Sequence, residues 1–434
     1  MRDMNEPRVM ASACSYCGDA PVHHRLSFYE SIVVCTLDAQ GSKILKYVPK
    51  FIKKLVDFIP GFLFETLALL RMVKFSSDIE RARTFRSKII WEEAERRGIK
   101  MEQVIFLGEP LDFYRTKIQG KNFYFESIPI KPEFLDMREN WDDKVVLKKE
   151  LKKNKIPVPE FFELPFFSFR NADERVTEIF SKLPKPVIVK PKVGSRGRHT
   201  ITNIHTEAQL KEGIKISGEI SSHLVVEEHL SGNVCRATLV GGKLVGFYRG
   251  QAPALVGDGE QTIRELIEEK DAKRHSRVEP VRISEELHQH IARSGFKIDD
   301  VLPKRAPLSL SHRIGRLFGG ETREMLDELH PSFIPIFEKS ARVVDLSVVG
   351  FDAIIPDPTR EAGSQRFGII ECNSLPFIDL HYYALEGKPK NIAGMIWDLW
   401  DHPSTPPPQG GKGKNPLLFL KEECPKGEVV NGQQ

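Results

Sequence analysis

At 434 residues, with 64 Lys and Arg against 60 Asp and Glu, the chain is too long for one small core, and about two to three domains are expected. Its net charge of only +4 gives no electrostatic reason to invoke nucleic acid, and no apolar run approaches the ~20 residues of a membrane span. Six scattered cysteines, with no apolar-cored secretory leader, read as a reducing cytoplasm rather than a disulfide framework.

Residues 1–42 read as an irregular segment carrying Cys14-x-x-Cys17, His23, His24 and Cys35. Two cysteines so spaced, a histidine and a third cysteine can close a zinc tetrahedron. The second close pair of a finger is missing, so reduced thiols in a mobile terminus are the competing reading. Over 43–75, seven basic residues stand against two acidic ones, and Pro60-Gly61 interrupts the apolar pattern before Phe62-Leu63-Phe64. Two helices packed on a domain, lysines at the rim, are expected there; contact with an anionic membrane surface is the alternative. Ile89-Ile90-Trp91 and Ala94 before Gly98 predict an amphipathic helix with a glycine stop. Val104 to Leu107 predicts a strand, and Phe113-Tyr114 with Phe123-Tyr124-Phe125 about Gly120 a hairpin. Residues 43–140 thus form a front domain of helices and α/β structure.

Asp142 and Asp143 stand at the positive end of a helix running to Lys153, Asn154 ends it, and Ile156-Pro157-Val158-Pro159 is an extended exit. On the helix pattern alone, Lys144 is one surface lysine among several. Val187-Ile188-Val189-Lys190 is a strand whose terminal lysine wants an anion. Behind it Gly194-Ser195-Arg196-Gly197-Arg198 offers backbone N–H groups, a hydroxyl and cations to phosphate. That loop matches neither the Walker pattern nor the dinucleotide fingerprint, and a hairpin turn with exposed arginines explains it as well. Leu224 to Glu228 is a strand, and Cys235 to Val240 pairs with Leu244 to Arg249 about Gly241-Gly242, which sets Arg236 and Arg249 on neighbouring strands. Thr262 or the residues just before it cap a helix over 262–270, 271–320 is charged and weakly patterned, and His330-Pro331 opens a helix through Val344.

Val348 to Asn373 organises the chain. Two β-branched runs flank Pro356, Asp357, Pro358 and Gly363, which predicts a hairpin. Glu371 and Asn373 are two apart and share a face, and Asp352 on the partner run can meet them. Carboxylates among apolar residues need a cation or donors. An all-oxygen set with room for phosphate suits Mg²⁺; a salt-bridged pair in an ordinary sheet is the alternative. A helix over Asn391 to Trp400 follows Glu386-Gly387-Lys388-Pro389, and 403–434 is a Pro/Gly-rich tail expected to be disordered.

Taken in order, Asp143-Lys144, the Ile156 exit, Val187 to Pro191, Gly194 to Arg198, Val226-Glu227-Glu228, Val256 to Gly259, Gly350-Phe351-Asp352, Glu371-Cys372-Asn373 and Glu386 to Pro389 resemble the ATP-grasp ligases. The likeness is strongest to the ATP-grasp module of cyanophycin synthetase and runs from about Asp142 to Trp400. The resemblance implies an α/β (α+β) ATP-grasp fold over 141–402, ATP gripped between two antiparallel sheets, with a lid at about 186–250. It implies that Lys190 and Lys144 hold the α and β phosphates while Gly194, Ser195, Arg196 and Gly197 close on the β/γ end. Glu227 would take the adenine amino group, with the backbone of Glu228 and Leu230 completing the base contact. Asp352, Glu371 and Asn373 would carry two Mg²⁺, replaceable by Mn²⁺, and Arg249 and Arg236 would neutralise the transferring phosphoryl group.

The implied reaction is ATP-dependent ligation of a carboxylate to an amine through an acyl phosphate, on amino-acid or peptide-like small molecules. Three departures stand out. Val234 lies where relatives place an acidic ribose ligand, Ser311 to Gly320 keeps arginines and glycines but no asparagine, and the Mur-ligase-like half has no counterpart. The last argues against cyanophycin synthesis itself; the 311–320 stretch keeps open a phosphotransferase that stops at phosphoryl transfer, and Val234 with the basic stretch 43–75 a non-catalytic nucleotide-binding scaffold. His381 sits where the family has a histidine near the site, and packing accounts for it equally.

Overall fold

The computed structural model describes residues 14, 16–17, 22–45, 61–118, 120–130, 141–165, 172–193, 197–292, 294–311 and 314–401. Expectations for Gly194, Ser195 and Arg196, for the basic stretch 46–60 and for the tail 403–434 lie outside them.

The N-terminal segment read as irregular instead holds helix α1 (His24–Leu45). Ser31 and Cys35, one turn apart, are buried there. Helix α2 (61–69) and the antiparallel sheet β1 (Val73–Ser76), β2 (Met101–Phe106), β3 (Glu109–Ile118), β4 (Lys121–Glu126) build the front domain, with α3 (Phe85–Arg96) between the first two strands. Thr84 caps α3, and Gly98 takes the left-handed φ of +71° just beyond its end. Ile89, Ile90, Trp91 and Ala94 of α3 meet Tyr114 and Phe125 of the sheet in one core.

Asp143 caps α4 (Lys144–Lys153), accepting from the backbone N–H groups of Val145 and Val146. A four-stranded sheet in the order β5 (Phe161–Pro165), β8 (His223–Glu228), β6 (Val187–Pro191), β7 (Ile201–Ile204) is backed by α5 (Ala172–Lys182) and α6 (Glu207–Ser217). The larger sheet is assembled from β9 (Asn233–Val240), β10 (Lys243–Gly250), β13 (Thr322–Glu324), β14 (Val348–Ile355) and β15 (Gly368–Asn373), in the order β13-β10-β9-β14-β15. Between β10 and β13 an insert of β11 (Ala254–Val256), α7 (Ile263–Lys273), α8 (Glu285–Ala292) and β12 (Pro307–Ser309) has its own apolar core, so the weakly patterned 271–320 is folded over its described residues. Helix α9 (Ile334–Val344) and α4 cover one face of the larger sheet through Phe337, Ala341, Leu147 and Leu151. The short α10 (Asp379–Tyr382) and α11 (Ile392–Asp401) are the last of the described elements, α11 packing Ile396 and Trp397 against α3.

The boundary of 186–250 expected for the lid does not follow the sheets. The small sheet begins at β5, and β9 and β10 belong to the larger one, where β9 pairs with β14 and β10 with β9. Strand pairing over a long sequence separation, not local composition, sets that division.

Candidate active site

The face of the larger sheet turned away from α4 and α9 is built by register. Asp352 on β14 stands opposite Glu371 on one side and Arg236 on the other, and Gly350 opposite Asn373. A bulge after Asp352 lets β15 keep Glu371 beside it while Ile369 turns to the core. The Arg236 guanidinium donates through Nε and Nη2 to both Asp352 oxygens, at 2.6 and 2.7 Å, and Asn373 Nδ2 donates to Asp352 Oδ2 at 3.3 Å. Lys144, first residue of α4, holds its Nζ 3.6 Å from Glu371 Oε2. Burial pushes the Asp352 carboxyl up to about 6 against the pull of Arg236. For Glu371, burial is outweighed by Lys144, by a hydrogen bond with Asp352 and by Lys190 and Arg236, which bring it down to about 2. The two neighbouring carboxylates thus differ in affinity for a proton.

The small sheet contributes the facing wall. Val187 and Val189 of β6 and Leu224 and Val226 of β8 enter its core, so the alternate residues Lys190 and Glu227 project to the opposite face. Lys190 Nζ lies 3.1 Å from Glu227 Oε2, and Lys148 Nζ donates to Glu227 Oε1 in a short contact. Lys144 and Lys148 are one turn apart on α4, while Leu147 and Leu151 bury on the larger sheet. The helix therefore wedges two lysines between the sheets. Burial, the repulsion of Lys190 and that of Lys144 outweigh Glu227 and hold the Lys148 ammonium down at about 8. Lys148 is a site residue that sequence reading missed; its position four after Lys144 was the available signal.

Other expected residues fall elsewhere. Arg249 is a correction: it pairs in register with Cys235, whereas Asp352 pairs with Arg236, the next residue along β9. Successive strand residues face opposite ways, so Arg249 points away from the carboxylates, and its Nε finds no acceptor among the described residues. Glu228 turns out to bind Arg366 through both oxygens, at 3.0 Å to Nε and more closely to Nη2. Leu230 is buried, Val234 pairs with Gly250 and Ile354, and Gly197 adopts a left-handed φ of +79°. Arg316, from the altered stretch, donates to Tyr383 O and lies 3.4 Å from Asp379. His381 is buried in the larger sheet's flank, between Thr238 Oγ1 at 2.8 Å from Nε2 and Glu324 Oε2 at 2.5 Å from Nδ1, which is a packing arrangement. Of the thiols considered for zinc, Cys35 stands 11 residues, about 16 Å of helix, beyond His24 and is not with Cys14 and Cys17.

Two carboxylates and an amide make a hard oxygen-donor set, and a carboxylate offers about four lone-pair directions. The Arg236 fork uses one on each Asp352 oxygen and Asn373 Nδ2 a second on Oδ2, so the remaining one, with those of Glu371, fits Mg²⁺.

No family model matches the chain. Cyanophycin synthetase of Geminocystis herdmanii is 28% identical over 284 residues, 63% of this chain and 32% of its own. The bifunctional glutathione biosynthesis protein of Streptococcus mutans is 28% identical over 265 residues, 58% of this chain and 34% of its own. The chain spans about a third of the length of the curated relatives it matches. Among solved structures, a bifunctional glutathione synthetase from Pasteurella multocida aligns at 21% identity with a TM-score of 0.48, over 73% of this chain and 44% of that one. The resemblance to the ATP-grasp module of cyanophycin synthetase, read from short motifs, is thus met by sequence similarity over a matching length of chain.

Proposed function

We propose that this chain is an ATP- and Mg²⁺-dependent carboxylate–amine ligase acting on amino-acid or peptide-like small molecules. The observation that carries the reading is the charged seam between two antiparallel sheets: Lys190 and Glu227 on one, Asp352, Glu371 and Asn373 on the other, Lys144 and Lys148 between. Phosphoryl transfer asks for such a seam, because charge spread over phosphate oxygens must be met by fixed cations where water is excluded.

A nucleotide in the seam exchanges the ion pairs of Lys144 and Lys190 for contacts with its α and β phosphates. Gly197 serves the β/γ end. Glu227 keeps lone pairs for the adenine amino group beyond those given to the two lysines, and the backbone at Glu228 and Leu230 borders the base. Asp352, Glu371 and Asn373 would hold Mg²⁺, which would supply charge neutralisation to the phosphoryl group. Arg236 orients Asp352 through its fork and adds positive charge beside it. The substrate carboxylate attacks the γ phosphorus and ADP leaves; the amine then attacks the acyl carbon, loses a proton, and phosphate departs.

The test is ADP release by the purified chain with Mg²⁺ against a panel of amino acids and short peptides, with Glu371→Ala alongside and the products identified by mass. Substrate-dependent ADP with an amide product, from the wild type alone, supports the ligase. A stable phosphorylated product without amide assigns a phosphotransferase, and no turnover across the panel while ATP still binds would sink both.

A further inference from the structure

A second cluster lies at the end of the small sheet where β6 passes into β7, and phosphoryl chemistry makes no use of it. Cys14, Cys17, His24 and His199 bring their ligand atoms within 4.8 Å of one another. Cys17 Sγ is 3.2 Å from His24 Nε2 and 3.4 Å from His199 Nε2, and Cys14 Sγ is 3.5 Å from His199 Nε2. A tetrahedral zinc ion with Zn–S near 2.3 Å and Zn–N near 2.0 Å separates sulfur from nitrogen by about 3.5 Å. The observed spacing is close to that of four ligands around one ion.

The outer contacts point the same way. His199 Nδ1 lies 2.7 Å from the carbonyl oxygen of Ile216, so this nitrogen donates and Nε2 keeps its lone pair toward the thiols. His24 Nδ1 faces Glu219 Oε2 at 3.3 Å and leaves its own Nε2 toward Cys17 in the same manner. Both rings therefore turn one nitrogen inward and rest the other on an oxygen acceptor, as metal-bound histidines do. The backbone is shaped for it as well. Cys17 N–H donates to Cys14 O at 3.2 Å, closing the turn that sets the two sulfurs side by side, and His199 N–H donates to Tyr16 O at 3.0 Å. His199 holds a left-handed φ of +48°, costly for a residue with a Cβ.

We propose that Cys14, Cys17, His24 and His199 bind one Zn²⁺, a structural ion that fastens the N-terminal segment to the small sheet directly after Gly197-Arg198. Four protein ligands leave no open coordination position, which assigns the ion to structure and not to catalysis. Cys17 and His199 are 182 residues apart in sequence, so the ion crosslinks distant parts of the chain and stabilises the folded form that assembles them. The contact of Ser31 Oγ with Ser222, at 2.9 Å to Oγ and 2.8 Å to the backbone nitrogen, continues the same seam along α1.

Elemental analysis of the reduced full-length chain, purified without chelator or metal-affinity steps, should return about one zinc per chain. Exchange with Co²⁺ should give the thiolate charge-transfer and d–d bands of a tetrahedral sulfur–nitrogen site. His24→Gln, at a partly exposed ligand, should lose the metal with its circular dichroism unchanged, and Cys35→Ser should keep it. Chelation should lower the Tm of the wild type and leave that of His24→Gln unmoved. A reduced wild-type chain that neither carries zinc nor takes up Co²⁺ overturns the proposal. Full metal content in a folded His24→Gln, or its loss in a folded Cys35→Ser, overturns the ligand set.

Discussion

Lys148 offers a way to probe the seam without knowing a substrate. Its ammonium is fully buried against Glu227, and burial, ahead of the neighbouring lysines, holds it at about 8 against an ordinary 10.5. The folded value lies below the unfolded one, so between the two the unfolded chain binds more protons. A penalty for carrying the charge is therefore present in full below pH ~8 and is relieved as the pH rises toward ~10.5. The full separation is worth about 3 kcal/mol, and the part between about pH 8 and pH 9.5 about 1–2 kcal/mol. Lys148→Met removes this titration while Glu227 keeps Lys190 at 3.1 Å. Urea unfolding of both proteins at the two pH values isolates the effect, because the groups outside the seam are common to both. The wild type should gain about 1–2 kcal/mol over the variant; an equal gain in both would refute a buried, titrating Lys148. Glu227→Gln, by contrast, leaves two buried ammoniums without their anion and should cost about 3–5 kcal/mol near neutral pH.

Arg236→Ala strips the buried Asp352 of both its guanidinium contacts and should destabilise by about 3–5 kcal/mol in denaturant unfolding. Arg249→Ala should leave ADP formation within a few-fold of wild type in a steady-state assay, since register turns it away from Asp352. In Gly246→Ala the new Cβ would sit 2.6 Å from His381 Nδ1, a ring pinned by Thr238 and Glu324; calorimetry should show a loss of about 1–3 kcal/mol. Thr238→Val deprives His381 Nε2 of its partner at 2.8 Å and should lower stability by about 1–3 kcal/mol, readable as a shift in Tm.

Much of the site was legible because its signals are local. A cap bonds residues within one turn, so the helix starts at Asp143 and Thr262 could be read from the sequence. Alternation along a strand places Glu371 with Asn373, and Gly241-Gly242, both at positive φ, marks the tight turn of β9 and β10. Arg249 shows where such reasoning stops. In an unbroken hairpin Lys243 opposite Val240 would set Arg249 opposite Val234, on the face of Arg236. The register shifts between Leu244 and Gly246, so Arg249 meets Cys235 instead. One extra residue reverses the face of every side chain beyond it.

The sequence by itself determined the order of elements, the oxygen-donor hairpin and the lysine-ended strand, since each depends on residues a few positions apart. Only the tertiary structure decided which side chains meet. Lys148 reaches Glu227 across 79 positions, and Cys17 reaches His199 across 182. The helix entered at His24 also emerges only with its docking on the small sheet through Ser31 and Ser222. Such contacts form because burial of distant apolar faces brings the backbones together, and the charges and ligands on the opposite faces are then placed by register and bulge.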